Sequence, residues 1–387
     1  MLDRRMLKNL DFLFILFVFL LLGTSLLIQS TASYNIYESQ PFRLLKIQSV
    51  WIASGLVLCT VIAFFDYQKL RRFSWWIYAF NIALLLAVFA FGEEAKGAQR
   101  WIPITSTQNI QPSEFAKLFI IVTFADFLSK RQGKLNRFRD FIPPFLYILA
   151  PMLLIVKQPD LGTSLVFVAI LIGMMFVAGA NPWKFGGLIV GGILIVAFAL
   201  WVHFAEDLPG WLQFAKAIPL PLHDYQLQRL TVFLDPAADI SGDGYQIIQS
   251  IWAIGSGGFW GKGYRQGTQA QLDFLPEHHT DFIFSVVGEE FGFIGTITLL
   301  FCFLIFLLRA VNIGMKAKDV YGTLVAAGIV SMFTFHILVN VGMTSGIMPV
   351  TGIPLPLISY GGSAMWANLM SIGVLLSINI RRQRLMF

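Results

Sequence analysis

Few ionisable residues interrupt this chain: Asp, Glu, Lys and Arg make up 13% of its 387 residues, so each cluster of them needs a reason. The strongest cluster reads Glu277-His278-His279-Thr280-Asp281-Phe282-Ile283-Phe284, and an apolar run follows Asp281 directly. A carboxylate in that position has two uses. It caps the first turn of the following helix, or its neighbours partly desolvate it and make it a better general base near neutral pH. His278 and His279 invite a metal reading. However, adjacent side chains diverge on any regular element, and no zinc spacing is present.

A second cluster, Gln111-Pro112-Ser113-Glu114-Phe115-Ala116-Lys117, opens another apolar run. Ser113 is suited to cap that helix. Glu114 and Lys117 are three apart and share a helix face. They form a local ion pair, or Lys117 is an anchor for an anionic head group. In Lys157-Gln158-Pro159-Asp160-Leu161-Gly162-Thr163, Asp160 is a candidate cap for the next helix. It would stand near Glu114 and Lys117 if these helices pack together. Glu289 and Glu290 lie deeper in an apolar run, where a charge costs about 2.5–3.5 kcal/mol at a helix centre. They must therefore pair with a neighbour or line a wet cavity.

The stretch Gly255–Gly263 imitates a phosphate loop and fails the test. Trp260 breaks GxGxxG, Ser256 stands where Walker A needs Gly, and Gly263 follows Lys262 where Ser or Thr is required. Two uses remain: an anion cradle of backbone N–H groups with Lys262 and Arg265 nearby, or a flexible turn.

The elements that must position these clusters are membrane helices. With 56% hydrophobic residues and a mean hydropathy of +0.70, the chain has far more apolar surface than a soluble domain can hide. Apolar runs near 20 residues predict spans at 11–31, 45–65, 73–92, 113–129, 141–157, 162–179, 185–203, 281–308, 320–345 and 363–380. The first is too long for a signal-peptide core and lacks a cleavage site, so it reads as a retained helix. Most of the 28 Lys and Arg residues fall at the N-terminus, after the last span and in alternate connections. The positive-inside rule then puts both termini in the cytoplasm and all three polar clusters on the outer face.

The net charge of +6 is accounted for by this topology, and no basic-aromatic stripe points to nucleic acid. Cys59 and Cys302 fall inside apolar runs, which argues against a disulfide framework. Gly187 and Gly191 form a small-xxx-small pair, predicting close helix packing. The outer connection 204–280 is long but not linker-like; Ile247, Ile248, Ile251 and Trp252 are spaced to lay a short helix on the interface. The whole chain, 1–387, reads as one all-α membrane domain of about ten helices with a large extracytoplasmic loop.

Gly97–Ile102 (GAQRWI), Gln111–Leu118 (QPSEFAKL), Lys157–Leu165 (KQPDLGTSL), Gln249–Gly263 (QSIWAIGSGGFWGKG), Leu272–Gly295 (LDFLPEHHTDFIFSVVGEEFGFIG) and Thr351–Ser363 (TGIPLPLISYGGS) together resemble the SEDS family (shape, elongation, division and sporulation) over essentially the whole length. The short termini and the Leu272–Phe284 segment resemble its elongation branch more than its division branch. The resemblance implies a peptidoglycan glycosyltransferase that polymerises lipid II at the outer face of the cytoplasmic membrane, working with a class B penicillin-binding transpeptidase. It implies that Asp281 is the essential acid. It places Arg100, Glu114 and Lys117 at matching family positions, with Trp101, Gln111, Asp160, Lys262 and Thr280 as further substrate-binding candidates. A divalent cation, Mg or Mn, assists some members, and no metal site is legible in the sequence. Two rival functions are a flippase for the lipid-linked precursor, for which polar groups inside helices would also serve, and a non-catalytic scaffold.

Overall fold

The computed structural model describes residues 9–32, 42–95, 98–105, 108–205, 224–236, 239, 242–272 and 274–382. Among the described residues ten helices form the bundle: α1 (Phe12–Ala32), α2 (Arg43–Phe64), α4 (Ser74–Phe91), α5 (Pro112–Ser129), α6 (Phe138–Lys157), α7 (Leu161–Val177), α8 (Pro182–Phe204), α12 (Ile283–Met315), α13 (Val320–Thr344) and α14 (Gly362–Ile380). Eight of these are long and apolar enough to cross a membrane. The other two are α7, which is apolar but shorter, and α5, which carries Glu114, Lys117 and Asp126. Each expected span is therefore a helix. Short helices α3 (Tyr67–Arg72), α9 (Asp224–Leu234), α10 (Asp243–Gly257) and α11 (Thr268–Gln271) lie in the connections.

Burial follows position. α13, α14 and α5 are the centre: α14 runs along α2, and α13 packs on α7, α12 and α5. α8 is peripheral and largely exposed. That corrects the reading of Gly187 and Gly191. A Cβ at either would meet nothing within 4 Å, so no described helix packs closely there. At the end of the bundle remote from the polar clusters, Asp126 accepts from Arg71 (3.1 Å) and Lys130 (2.6 Å). Tyr67 donates to Asp319 at 2.8 Å. Burial first, then the Asp319 carboxylate, raises the Tyr67 phenol above its ordinary range, which keeps it a donor.

Two features went beyond the expected helices. The connection after α4 is a small antiparallel sheet, ordered β1 (Glu93–Ala95), β2 (Ala98–Thr105) and β3 (Gln108–Ile110), with Glu93 opposite Trp101 and Ile102 opposite Ile110. In addition, α12 is broken at Gly292, whose φ of 63° is left-handed. The segment after α10 fills the break. Phe293 N donates to Gly258 O (2.9 Å), Lys262 N to Glu289 O (2.9 Å) and Gly263 N to Glu290 O (3.0 Å). Non-helical backbone at membrane depth is tolerated only when protein satisfies it in this way. The approach is so close that a Cβ at Gly257, Gly261 or Gly292 would collide with the facing backbone. Of the loop's amides, those of Lys262 and Gly263 are spent on α12 and those of Gly258 and Gly261 on the loop's own carbonyls, which argues against the anion-cradle reading. The expected short helix is α10, which carries Ile247, Ile248, Ile251 and Trp252; Ile247 is buried, Ile248 half-buried, and Ile251 and Trp252 exposed.

Candidate active site

A cavity of about 390 Å³ opens at the end of the bundle where α5 and α12 begin. β2 delivers Arg100 and Trp101 to it, the start of α5 delivers Gln111 and Glu114, and the turn before α12 delivers Thr280 and Asp281. A smaller polar cavity of about 40 Å³ adjoins it, sharing Arg100, Gln111 and Glu114 and adding Lys117 and Asp160. Eight of the nine residues singled out in the sequence meet here. Lys262 does not: it lines neither cavity, and its ammonium bonds to Glu289 at 2.6 Å.

The turn carrying Asp281 is held by helices far away in sequence. Asn340 of α13 donates to both Asp281 O and Ile353 O, each at 2.8 Å. Gln29 of α1 donates to His279 O (2.9 Å), and Ser359 donates to Thr280 O (2.6 Å). His278 sets each ring nitrogen 2.7 Å from a carbonyl oxygen, of Leu275 and Ala32, so neither is turned to a metal. The N-cap of α12 is Phe282, with no side-chain cap bond. Asp281 therefore lines the cavity and does not cap the helix. On the opposite wall, Arg229 of α9 donates to Val350 O at 3.0 Å. A Cβ on Gly352 would stand 3.5 Å from Asp281 Oδ2 and 3.9 Å from Arg229 Nη1, so acid and guanidinium flank one bare backbone position.

The second group is a charge network. Lys117 Nζ donates to Glu114 Oε1 at 2.7 Å, with both side chains at least nine-tenths buried. Asp160 does cap α7, accepting from Thr163 N at 3.0 Å. It also stands 3.9 Å from Arg100 Nη1 and lines the smaller cavity with Glu114 and Lys117, so it caps α7 and lies beside them as well. Arg100 is further fixed through the carbonyls of Gln158 and Pro159. Ser113 lies two residues past the N-cap position, Gln111, and does not cap α5; its hydroxyl points to Asp160 at 3.4 Å. Glu289 is fully buried and accepts from Lys262, Thr268 and Gln269, which agrees with the expectation that it pairs and avoids lipid.

The sequence reading missed Arg229 and His336. Arg229 lies in the long outer connection, where nothing marks one basic residue over another. His336 Nε2 stands 3.0 Å from Lys117 Nζ, inside an apolar span. The rule that drew attention to Glu289 applies equally to a lone histidine in a membrane helix.

The sequence matches the FtsW, RodA and SpoVE family, described as cell cycle proteins, over residues 9–384. The chain belongs to this family. Among its relatives, the peptidoglycan glycosyltransferase MrdB of Escherichia coli strain K12 is 39% identical over 344 residues, covering 86% of this chain and 85% of its own. The peptidoglycan glycosyltransferase RodA of Treponema pallidum strain Nichols is 36% identical, covering 87% of this chain and 89% of its own. In a solved peptidoglycan synthase complex that coordinates polymerization and crosslinking, one chain superposes with a TM-score of 0.75 at 31% identity, covering 95% of this chain and 97% of that one.

Proposed function

We infer that this family member is a peptidoglycan glycosyltransferase, that its substrate is lipid II and that the two joined cavities are its reaction site. The observation that carries the reading is the convergence of the Asp281 carboxylate with Arg100 and Arg229 around the larger cavity and of Lys117 with Arg100 around the smaller one that adjoins it. Asp281 takes the proton from the acceptor's 4-hydroxyl as that oxygen attacks the donor's anomeric carbon, inverting it. The leaving group is a polyprenyl diphosphate, whose growing negative charge is met by Arg100, Arg229 and Lys117. Trp101, Gln111 and Thr280 border the same space and contact the sugars.

Orientation follows from charge. α5 begins at the cavity and ends at Lys130, beside Arg71, so the basic connections cluster at the remote end. The positive-inside rule then makes the remote end cytoplasmic and the cavity extracytoplasmic, in a bacterial cytoplasmic membrane. A single-span class B penicillin-binding transpeptidase is the expected partner, by analogy with the crosslinking complex. We assign the assisting divalent cation, Mg or Mn, to the substrate diphosphate, whose oxygens are hard ligands for it.

A flippase is less well supported: Glu289, a polar group inside a helix that would serve one, is held by Lys262 and the start of α11. The deciding experiment uses purified Asp281→Asn with lipid II, with and without the partner, and gel analysis of glycan length. The variant folds and binds its partner but makes no polymer; substantial polymer from it removes Asp281 from the role.

A further inference from the structure

Lys117 is a buried ammonium with two acceptors, and only one of them is a carboxylate. Besides Glu114 Oε1 at 2.7 Å, it faces His336 Nε2 at 3.0 Å. The histidine's other nitrogen settles what that contact is. His336 Nδ1 stands 2.7 Å from Met332 O, one turn back along α13. A carbonyl can only accept, so Nδ1 carries the ring proton. In the neutral ring Nε2 is then a bare lone pair, and it accepts a hydrogen bond from the Lys117 ammonium. The Lys117 ammonium is thus shared between the Glu114 carboxylate and the His336 lone pair.

We infer that His336 is a positioning residue for Lys117: with Glu114 it fixes two of the three ammonium hydrogens and so aims the third into the small polar cavity shared with Arg100 and Asp160. Its neutrality is part of the device. The buried network already sets two acids, Glu114 and Asp160, against two bases, Lys117 and Arg100. An acid at 336 would leave one negative charge uncompensated, and a second cation would repel Lys117. A neutral acceptor does neither, and α13 anchors it through its own backbone. A lysine held by Glu114 alone swings about one bond. Held by two, it presents its charge in one direction, which electrostatic stabilisation of a leaving group requires. The inference rests on the reading that Lys117 meets the diphosphate.

The test compares His336→Leu, which has no acceptor, with His336→Gln, which keeps one, and runs Lys117→Met beside them. Each protein is purified in detergent, checked by thermal melting, and assayed for kcat and KM on lipid II. His336→Leu lowers kcat by about 10- to 100-fold, the effect of one hydrogen bond to a charged group, with little change in KM. His336→Gln returns kcat to the wild-type order. A side chain that merely fills space predicts the reverse, with Leu tolerated and Gln no better. The inference is overturned if folded His336→Leu polymerises as wild type or if His336→Gln is as slow as Leu. If His336→Leu does not fold, His336→Gln alone decides: wild-type kcat supports the inference, and a folded but at least tenfold slower enzyme overturns it. If Lys117→Met itself polymerises normally, the diphosphate role of Lys117 fails first; if it does not polymerise while His336→Leu does, only the present inference fails.

Discussion

Replacing Lys262 with Met separates a substrate-binding lysine from a structural one. The side chain is 26% exposed and its partner Glu289 is 0% exposed, with 2.6 Å between them. Removing the ammonium does not orphan the carboxylate. Glu289 still accepts from Thr268 N at 2.8 Å, Thr268 Oγ1 at 3.0 Å and Gln269 N at 3.0 Å. The loss is therefore one charge-assisted hydrogen bond, about 1.5–3 kcal/mol, and partial exposure puts it at the lower end. It stays below the roughly 3–5 kcal/mol of stranding a buried charge. Lys262→Met should melt earlier in detergent, and amides around 258–272 should exchange faster with solvent. Polymerisation per folded molecule should be unchanged. A variant that melts like wild type yet loses polymerisation or raises KM for lipid II would refute this assignment and return Lys262 to the substrate.

Other outcomes follow from the same geometry. Lys117→Met strands the buried Glu114 carboxylate and should cost about 3–5 kcal/mol of stability; adding Glu114→Gln should restore the melting temperature without restoring polymerisation, and a single variant that melts normally contradicts the burial argument. Arg229→Ala should slow polymerisation per folded molecule by about 10- to 100-fold through loss of a charge-assisted contact; lipid II kinetics decide. Gly257→Ala drives a methyl into Gly288 O, so its yield of folded protein after detergent extraction should collapse, whereas Gly187→Ala, facing open space, should extract normally.

The helices were legible because a bilayer imposes one length and one solvent on every span. The runs at 113–129 and 162–179 are helices α5 and α7 even though three charges dilute the first and the second is short. The clusters at 111–117, 157–163 and 277–284 were legible because polar residues beside a span need a reason. Pairing across the fold was not legible. Lys262 in a glycine-rich loop looks like an anion anchor until Glu289 is seen beneath it, and periodicity carries no trace of that partner. The sheet at 93–110 hides in strands of three to eight residues, too short for an alternating pattern. Small residues at 187 and 191 suggest a packed seam, yet such spacing only permits close approach and supplies no neighbour.

The break in α12 reaches beyond this one molecule. Gly257 at the end of α10 and Gly261 just beyond it face the backbone of Gly288, Glu290 and Gly292 on the broken helix so tightly that Gly257, Gly261 and Gly292 cannot gain a methyl alone. Natural drift at these sites is therefore a collective affair. Descendants of this sequence should keep the whole glycine set, or abandon it together with the interruption it seals and close α12 into an unbroken rod.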